Sequence, residues 1–197
     1  MTHEEVRLTL ARQFKKHFGR GHTVAAYSPG RVEVLGNHTD YNEGFVLSAA
    51  INLGTHFLAT PSPDGQCRLV AGDFMEEASF DIASRSPATT RKWSNYVKGV
   101  SVKLGERHKS KIGFWGMFLG NLPLGAGLSS SAALETASGL ALSSLYGIDV
   151  PKLELAKIGQ SAEHDFAGVK CGLLDQISCL FGRQNHLVMS DFRSLNV

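Results

Sequence analysis

Residues 123–147 read PLGAGLSSSAALETASGLALSSLYG, and this stretch separates two halves of different character. From Ser129 onward, Leu134, Ala137, Ala141 and Leu145 recur at three- and four-residue intervals, a spacing that lays an apolar stripe along one helix. Upstream the punctuation is that of strands. TVAAYS (23–28), RVEVLG (31–36), FVLSAAI (45–51), THFLAT (55–60) and CRLVA (67–71) are short β-rich runs separated by Pro-Gly, Asn-Glu-Gly, Asn-Leu-Gly and Pro-Ser-Pro-Asp-Gly. ASFDI (78–82) and GFWGMFLG (113–120) extend the series. Downstream, PKLELAKIGQSAEHDFAG (151–168) predicts a second helix through Leu155, Ile158, Ala162 and Phe166, with Pro151 in its first turn and Gly168 as its stop. ISCLF (177–181) and HLVMSDF (186–192) flank GRQN, which predicts a hairpin. At the start of the chain, Val6, Leu10, Phe14 and Phe18 predict a docking helix that stops at Gly19 and Gly21. Strands, then helices, without strict β-α-β alternation, indicate an α+β fold in which a mixed sheet packs with helices. The only loose stretch lies at residues 84–92, SRSPATTRK.

Composition narrows the function classes. The chain has 197 residues, is 43% hydrophobic and 19% charged, and carries a net charge of +2. That is ordinary globular material with no basic excess to collect phosphates, so nucleic acid is not expected as a partner. No stretch approaches the ~18 apolar residues of a membrane span, and Arg7, Arg12, Lys15 and Lys16 interrupt the N-terminal segment. A cytoplasmic protein without a membrane partner is the expectation. Cys67, Cys171 and Cys179 are odd in number and lack CxxC spacing, which suits reduced thiols.

Three stretches carry candidate chemistry. In PLGAGLSSSAALE (123–135), glycines and serines precede a helix, a pattern that can turn successive backbone N–H groups toward one anion. A Walker A loop is excluded because no Lys follows Gly127, and a dinucleotide loop because position 130 is Ser. A plain helix cap is the alternative reading. In SAEHDFAGVKCGLLDQISCLFG (161–182), Asp175 stands at the mouth of an expected apolar strand, where a carboxylate needs a partner or a task. Glu163, a lone helical Glu, reads by itself as part of a solvated face. In GNHTDYNEG (36–44), Asn-Glu-Gly suffices for a turn, so His38, Thr39, Asp40 and Tyr41 are surplus to it.

Taken together, these stretches resemble the galactokinase branch of the GHMP small-molecule kinases. PGRVEVLGNHTDYNEGFVLSAAI (29–51) looks like the sugar-binding signature, PLGAGLSSSAALE like the ATP-binding motif, and AEHDFAGVKCGLLDQ (162–176) like the catalytic segment. WSNYVKGV (93–100) and SDFRSLNV (190–197) are similar to the family outside its motifs. The resemblance implies a GHMP kinase N-terminal domain, of the ribosomal protein S5 domain 2 type. It also implies transfer of the γ-phosphoryl of ATP to the anomeric hydroxyl of a galactose-like sugar, with Mg²⁺.

Carried over by position, the resemblance implies that the backbone of Gly125, Ala126, Gly127, Leu128, Ser129, Ser130 and Ser131 wraps the phosphates. Ser131 and Glu163 would reach Mg²⁺. Asp175 would be the catalytic carboxylate, either accepting the sugar hydroxyl proton or orienting and polarising that hydroxyl, with Arg31 set against it. Asn37, His38, Asp40 and the backbone near Gly172 would join Asp175 in binding the sugar. Trp93 is a candidate adenine neighbour, with a core role as the alternative.

Two departures stand out. The family usually has Glu where this chain has Asn37 and Asn where it has Glu33, and strand alternation would set Glu33 beside Arg31, to brace it or to compete for it. Family members are also about twice as long and close the nucleotide cleft with a C-terminal half. The expectation is therefore an N-terminal fragment with little turnover alone, whose cleft the missing C-terminal half would complete. Two alternatives remain open: a sugar and nucleotide sensor related to the kinases, and a kinase for another sugar such as N-acetylgalactosamine.

Overall fold

A computed structural model describes residues 1–108, 113–123 and 125–197; Leu124 of the glycine-serine stretch lies outside the described residues. The elements run α1 (His3–Phe18), β1 (Val24–Leu35), β2 (Phe45–Pro61), β3 (Cys67–Ala71), β4 (Glu76–Phe80), α2 (Asn95–His108), β5 (Phe114–Gly120), α3 (Ser130–Tyr146), α4 (Lys152–Ala162), α5 (Leu174–Phe181) and β6 (Val188–Asp191). A π-turn, Glu163–Ala167, prolongs α4. The strands form one mixed sheet in the order β1-β2-β5-β3-β4, with β6 paired to β2. The β3–β5 pairing is parallel and the others are antiparallel. Helices α2 to α5 cover one face over a core that includes Phe57, Leu69, Phe114, Leu104, Leu142, Ile158 and Ile177. This is the α+β architecture expected from the sequence. Among the described residues no helix is long and apolar enough to cross a membrane.

Helix α1 covers part of the opposite face. Its expected stripe, Val6, Leu10 and Phe14, is fully buried against Leu58, Val70, Met117 and Leu119, with Phe18 partly buried beside it. Thr2 and Glu5 close a reciprocal capping box at its start, and Gly19 ends it at φ 71°. The His3 ring meets Tyr27 edge-on at 4.3 Å, and its Nδ1 lies 3.1 Å from Nε2 of His56.

His56 is only 5% exposed, and burial, reinforced by His3 and Arg7 and opposed by Glu4, pushes its pKa from 6.5 down to about 4. The unfolded chain therefore takes up a proton below pH 6.5 that the folded chain refuses until about pH 4. Stability from this site is whole above pH 6.5 and drains away as the pH falls toward 4, by roughly 2 kcal/mol after solvent screening. Denaturant midpoints at pH 7.5 and 4.5 should thus differ more for the native chain than for His56→Gln. Equal differences would show that His56 is not the responsive group.

Three local expectations are corrected. TVAAYS and RVEVLG are one strand, as are FVLSAAI and THFLAT, because irregularities in the ladder between Pro29 and Arg31 carry the pairing past the turn signals. WSNYVKGV, unassigned from sequence, runs from a short 3-10 turn into α2. ISCLF belongs to α5 and not to a hairpin strand. Leu174, Ile177 and Leu180 bury its inner side, and a short run of apolar residues does not distinguish a buried helix from a buried strand. Asp175 accordingly stands in the first turn of a helix, where a carboxylate also complements the helix dipole.

Candidate functional site

The break in pairing between Pro29 and Arg31 positions the first part of the site. Gly30 packs so closely on the glycine-serine loop that a Cβ there would fall 2.6 Å from the Leu128 carbonyl oxygen. The next amide, Arg31 N–H, donates to that same oxygen at 3.2 Å. Strand β1 thus leaves its partner strand for the loop at the point where its arginine is needed. The Arg31 guanidinium then grips Asp175, with Nε 2.9 Å and Nη2 2.6 Å from Oδ1, while its Nη1 donates to the Gly127 carbonyl at 2.6 Å. The second oxygen of Asp175, Oδ2, accepts from the Ser129 hydroxyl at 2.6 Å. Asp175, Arg31 and the loop therefore converge. Ser129 was expected to contribute backbone alone, and its side-chain role has no sequence signal.

Gly125, Gly127 and Ser129 all have positive φ, at 72°, 69° and 58°. Left-handed residues at alternate positions turn the intervening N–H groups toward a common side, which suits an anion. With its hydroxyl committed to Asp175, Ser129 makes no side-chain cap on α3. The plain N-cap reading of this loop is therefore incorrect for Ser129.

Beside the loop lies a cleft of about 510 Å³, lined by Trp93, Tyr96, Phe118, Phe74, Ser130 and Ser131 among others. Trp93 is packed against the core, its ring 5.7 Å from that of Phe118 and its indole N–H donating to Glu76 at 3.1 Å. The two readings of Trp93 are compatible, since it braces the core and also lines the cleft. Tyr96 and Phe118, which carry no motif, make the cleft aromatic on more than one side.

The polar knot approaches Asp175 from another direction. Thr39 ties the turn together, its one hydroxyl hydrogen shared between the carbonyls of Gly36 and Phe45, whose oxygens lie 2.7 and 2.8 Å from Oγ1. Asp40 is pressed against the chain that leads into α5. The Leu174 N–H donates to its Oδ2 at 3.4 Å, and a Cβ on Gly172 would fall 1.6 Å from that oxygen. Only glycine permits this approach. His38 has φ 62° and its Nδ1 hydrogen-bonds the Tyr41 hydroxyl, whereas the exposed Asn37 makes no side-chain hydrogen bond among the described residues. Glu33 is exposed and forms no ion pair there either, so it neither braces Arg31 nor competes for it.

Glu163 corrects its solvated-face reading, because it is 6% exposed and belongs to a buried cluster. Its Oε2 accepts from Gln176 Nε2 at 3.1 Å and from the Cys171 thiol at 3.2 Å. The same Gln176 nitrogen donates to Glu135 Oε2 at 2.9 Å. Burial, with the neighbouring Glu163 next in effect, raises the Glu135 pKa well above the usual carboxylate range. Glu135 and Gln176 were not singled out from sequence. One signal was available for the first: Glu135 is the single charged residue in the seventeen residues of α3.

No cluster of three His, Cys, Asp or Glu side chains forms a metal cage among the described residues. A two-ligand magnesium site does not require one. Ser131 lines the cleft, and burial, with the nearby Glu163 next in effect, raises the pKa of Tyr96 in the same lining. Neither Glu163 nor Glu135 has a Lys or Arg partner among the described residues, so this donor set fits a divalent cation.

Residues 95–183 match the family model described as GHMP kinases N terminal domain, and residues 12–61 match the galactokinase galactose-binding signature. A crystal structure of Lactococcus lactis galactokinase complexed with galactose superposes with a TM-score of 0.89 at 37% identity, covering 97% of this chain and 50% of that one. Methanococcus jannaschii mevalonate kinase shares the fold at TM-score 0.72 and 18% identity, covering 88% of this chain and 54% of its own. The fold is thus that of a GHMP kinase N-terminal domain. Galactokinase from Pasteurella multocida is 42% identical over 187 residues, 93% of this chain and 48% of its own. Galactokinase from Chloroflexus aggregans is 39% identical over 188 residues, 95% and 48% respectively. These matches support the reading of the chain as an N-terminal galactokinase segment of the GHMP superfamily. The chain spans about half the length of the curated relatives it matches.

Proposed function

We propose that the protein transfers the γ-phosphoryl group of ATP to the anomeric hydroxyl of galactose, giving galactose 1-phosphate and ADP. The observation that carries this reading is the junction of three elements: Asp175 gripped by Arg31, the glycine-serine loop bound to that same arginine, and Asp40 pressed on Gly172. A phosphate cradle, a carboxylate and a sugar-reading loop then meet around one point, as in-line phosphoryl transfer requires. The galactose-binding signature match over the strand pair that carries Asp40 and Arg31 supports the sugar.

In this mechanism Asp40, with two acceptor oxygens, reads vicinal hydroxyls, and His38 with the backbone near Gly172 completes the sugar contacts. Trp93, Tyr96 and Phe118 enclose the adenine, while the N–H groups of Gly125 to Ser131 hold the phosphates. Asp175 accepts a hydrogen bond from the anomeric hydroxyl, orienting and polarising it. The hydroxyl oxygen forms the new O–P bond as the β,γ-bridging bond breaks, and the proton passes to the carboxylate. Both Asp175 oxygens already accept from Arg31 or Ser129, which favours late proton transfer over prior deprotonation. Arg31 counters the charge on the transferring group. Ser131 and Glu163 would hold Mg²⁺, which when bound neutralises phosphate charge. Enclosure of the nucleotide is assigned to a C-terminal half of the kind that the relatives' length implies, and the reaction to the cytoplasm, where ATP is abundant.

The test is ADP release from ATP and Mg²⁺ with a panel of sugars in the full-length protein. Galactose should be the preferred substrate. Preference for N-acetylgalactosamine would reassign the sugar, and sugar binding without ADP from any sugar would make the protein a sensor. Asn37→Glu, which restores a charged acceptor at the rim, should lower the Michaelis constant for galactose by about 5- to 30-fold, equivalent to about 1–2 kcal/mol. Equal Michaelis constants would remove Asn37 from the sugar site.

A further inference from the structure

Glu135 and Gln176, buried in one cluster with Glu163, have no role in the mechanism above. Glu135, Gln176 and Glu163 are 1%, 0% and 6% exposed, and among the described residues Glu135 Oε1 and Gln176 Oε1 have no hydrogen-bond partner. Two buried carboxyl groups without a cation are a poor way to stabilise a core, since apolar residues of similar size commonly do better. A task other than stability is indicated.

The geometry defines that task. The single nitrogen of the Gln176 amide has two hydrogens and donates one to each carboxyl group, at 2.9 and 3.1 Å. Turned the other way, the amide would set its carbonyl against the Glu163 oxygen that already accepts from the Cys171 thiol, so the donor orientation is favoured. Gln176 follows Asp175 directly in the first turn of α5, one side chain entering the Arg31 and Ser129 constellation and the other entering the carboxyl pair. On α3, Glu135 lies four residues after Ser131 and thus on the same face, one turn deeper. The cluster therefore underlies both residues assigned to the metal.

We propose that Gln176, anchored by Glu135, is a positioning residue that holds the Glu163 carboxylate in the orientation needed to meet the metal of a metal–nucleotide complex. This rests on the reading that Glu163 faces that metal. Removing a group that orients a metal ligand weakens metal binding by about 10- to 100-fold without removing a ligand.

The experiment measures the affinity of Mn²⁺ for the complex of full-length protein with a non-hydrolysable ATP analogue, by electron paramagnetic resonance and without sugar. Gln176→Leu should weaken Mn²⁺ by about tenfold or more, with analogue affinity in EDTA unchanged. Glu135→Leu, which frees the amide from its anchor, should weaken it in the same direction. Glu135→Gln, whose carbonyl can still accept the Gln176 N–H, should stay within a few-fold of native. Should Gln176→Leu fail to fold by circular dichroism, Glu135→Leu with its Gln rescue carries the test. Native-like Mn²⁺ affinity in the folded Leu variants would overturn the proposal. So would a loss of Mn²⁺ and analogue affinity in equal measure, the mark of a merely structural role. Metal-specific loss in a protein that phosphorylates no sugar would leave the positioning role standing and overturn the kinase reading.

Discussion

Asp175→Asn is expected to lower turnover with galactose by a factor of about 10² to 10⁴, the usual contribution of a positioned proton acceptor, while ATP binding changes little. The substitution keeps the shape of the side chain and an oxygen for Arg31, but replaces one carboxylate oxygen with an amide nitrogen. In the native chain Arg31 holds Oδ1 through two nitrogens and Ser129 donates to Oδ2. The amide retains the first arrangement and cannot accept the second, so Ser129 must turn to another acceptor. Nor can the amide take up the hydroxyl proton as the O–P bond forms. Single-turnover measurements at saturating galactose and ATP separate this loss from a binding defect. Turnover within a few-fold of native would remove Asp175 from the catalytic step, though the kinase assignment could survive.

Gly172→Ala is expected to raise the Michaelis constant for galactose by about 30- to 150-fold, corresponding to about 2–3 kcal/mol for lost hydrogen bonds to a charged group. A Cβ at this position would lie 1.6 Å from Asp40 Oδ2 and 2.3 Å from its Cγ, so the two cannot coexist without movement. Asp40 has a short side chain on an irregular turn, and it is expected to yield before the start of α5, which Leu174 and Ile177 anchor in the core. The fold then persists while the sugar-reading carboxylate is displaced. A matched measurement with the ATP analogue should show unchanged affinity, because the loop from Gly125 to Ser131 is untouched. An unaltered Michaelis constant for galactose would mean that Asp40 does not read the sugar.

Sequence legibility followed the strength of local signals. Helix α1 could be read from Val6, Leu10 and Phe14 and from its terminal glycine, because an amphipathic surface helix records its environment in its periodicity. Helix α5 could not. It is only 8 residues long, Leu174 to Phe181, and so short an apolar run does not separate helical spacing from that of a buried strand. Pro29–Gly30 and Asn52–Leu–Gly54 looked like strand ends, yet the ladder resumes beyond both after a shift of register. That shift depends on close packing against the glycine-serine loop, a contact between residues about a hundred positions apart.

The same distinction governs the site. Motif residues such as Arg31, Asp40, Ser131 and Asp175 could be named from the order and wording of three stretches. The partners that give them a chemical setting could not: Ser129 through its hydroxyl, Gln176 through its amide, and Glu135 as a buried carboxyl. Glu163 could be named for the metal through the resemblance, but its own spacing suggested a solvated charge, and its burial depends on α5 and the Cys171 segment folding over it.

By itself, then, the sequence determined the α+β class, the helices with strong periodicity and the three motifs, because each is written in spacings of a few residues. Tertiary structure alone decided that Glu33 stays clear of Arg31, that Asp40 rests on Gly172, and that two carboxyl groups share one amide. Those outcomes depend on which segments a twisted sheet and its helices bring within 3 Å or so of each other, the range over which a hydrogen bond acts.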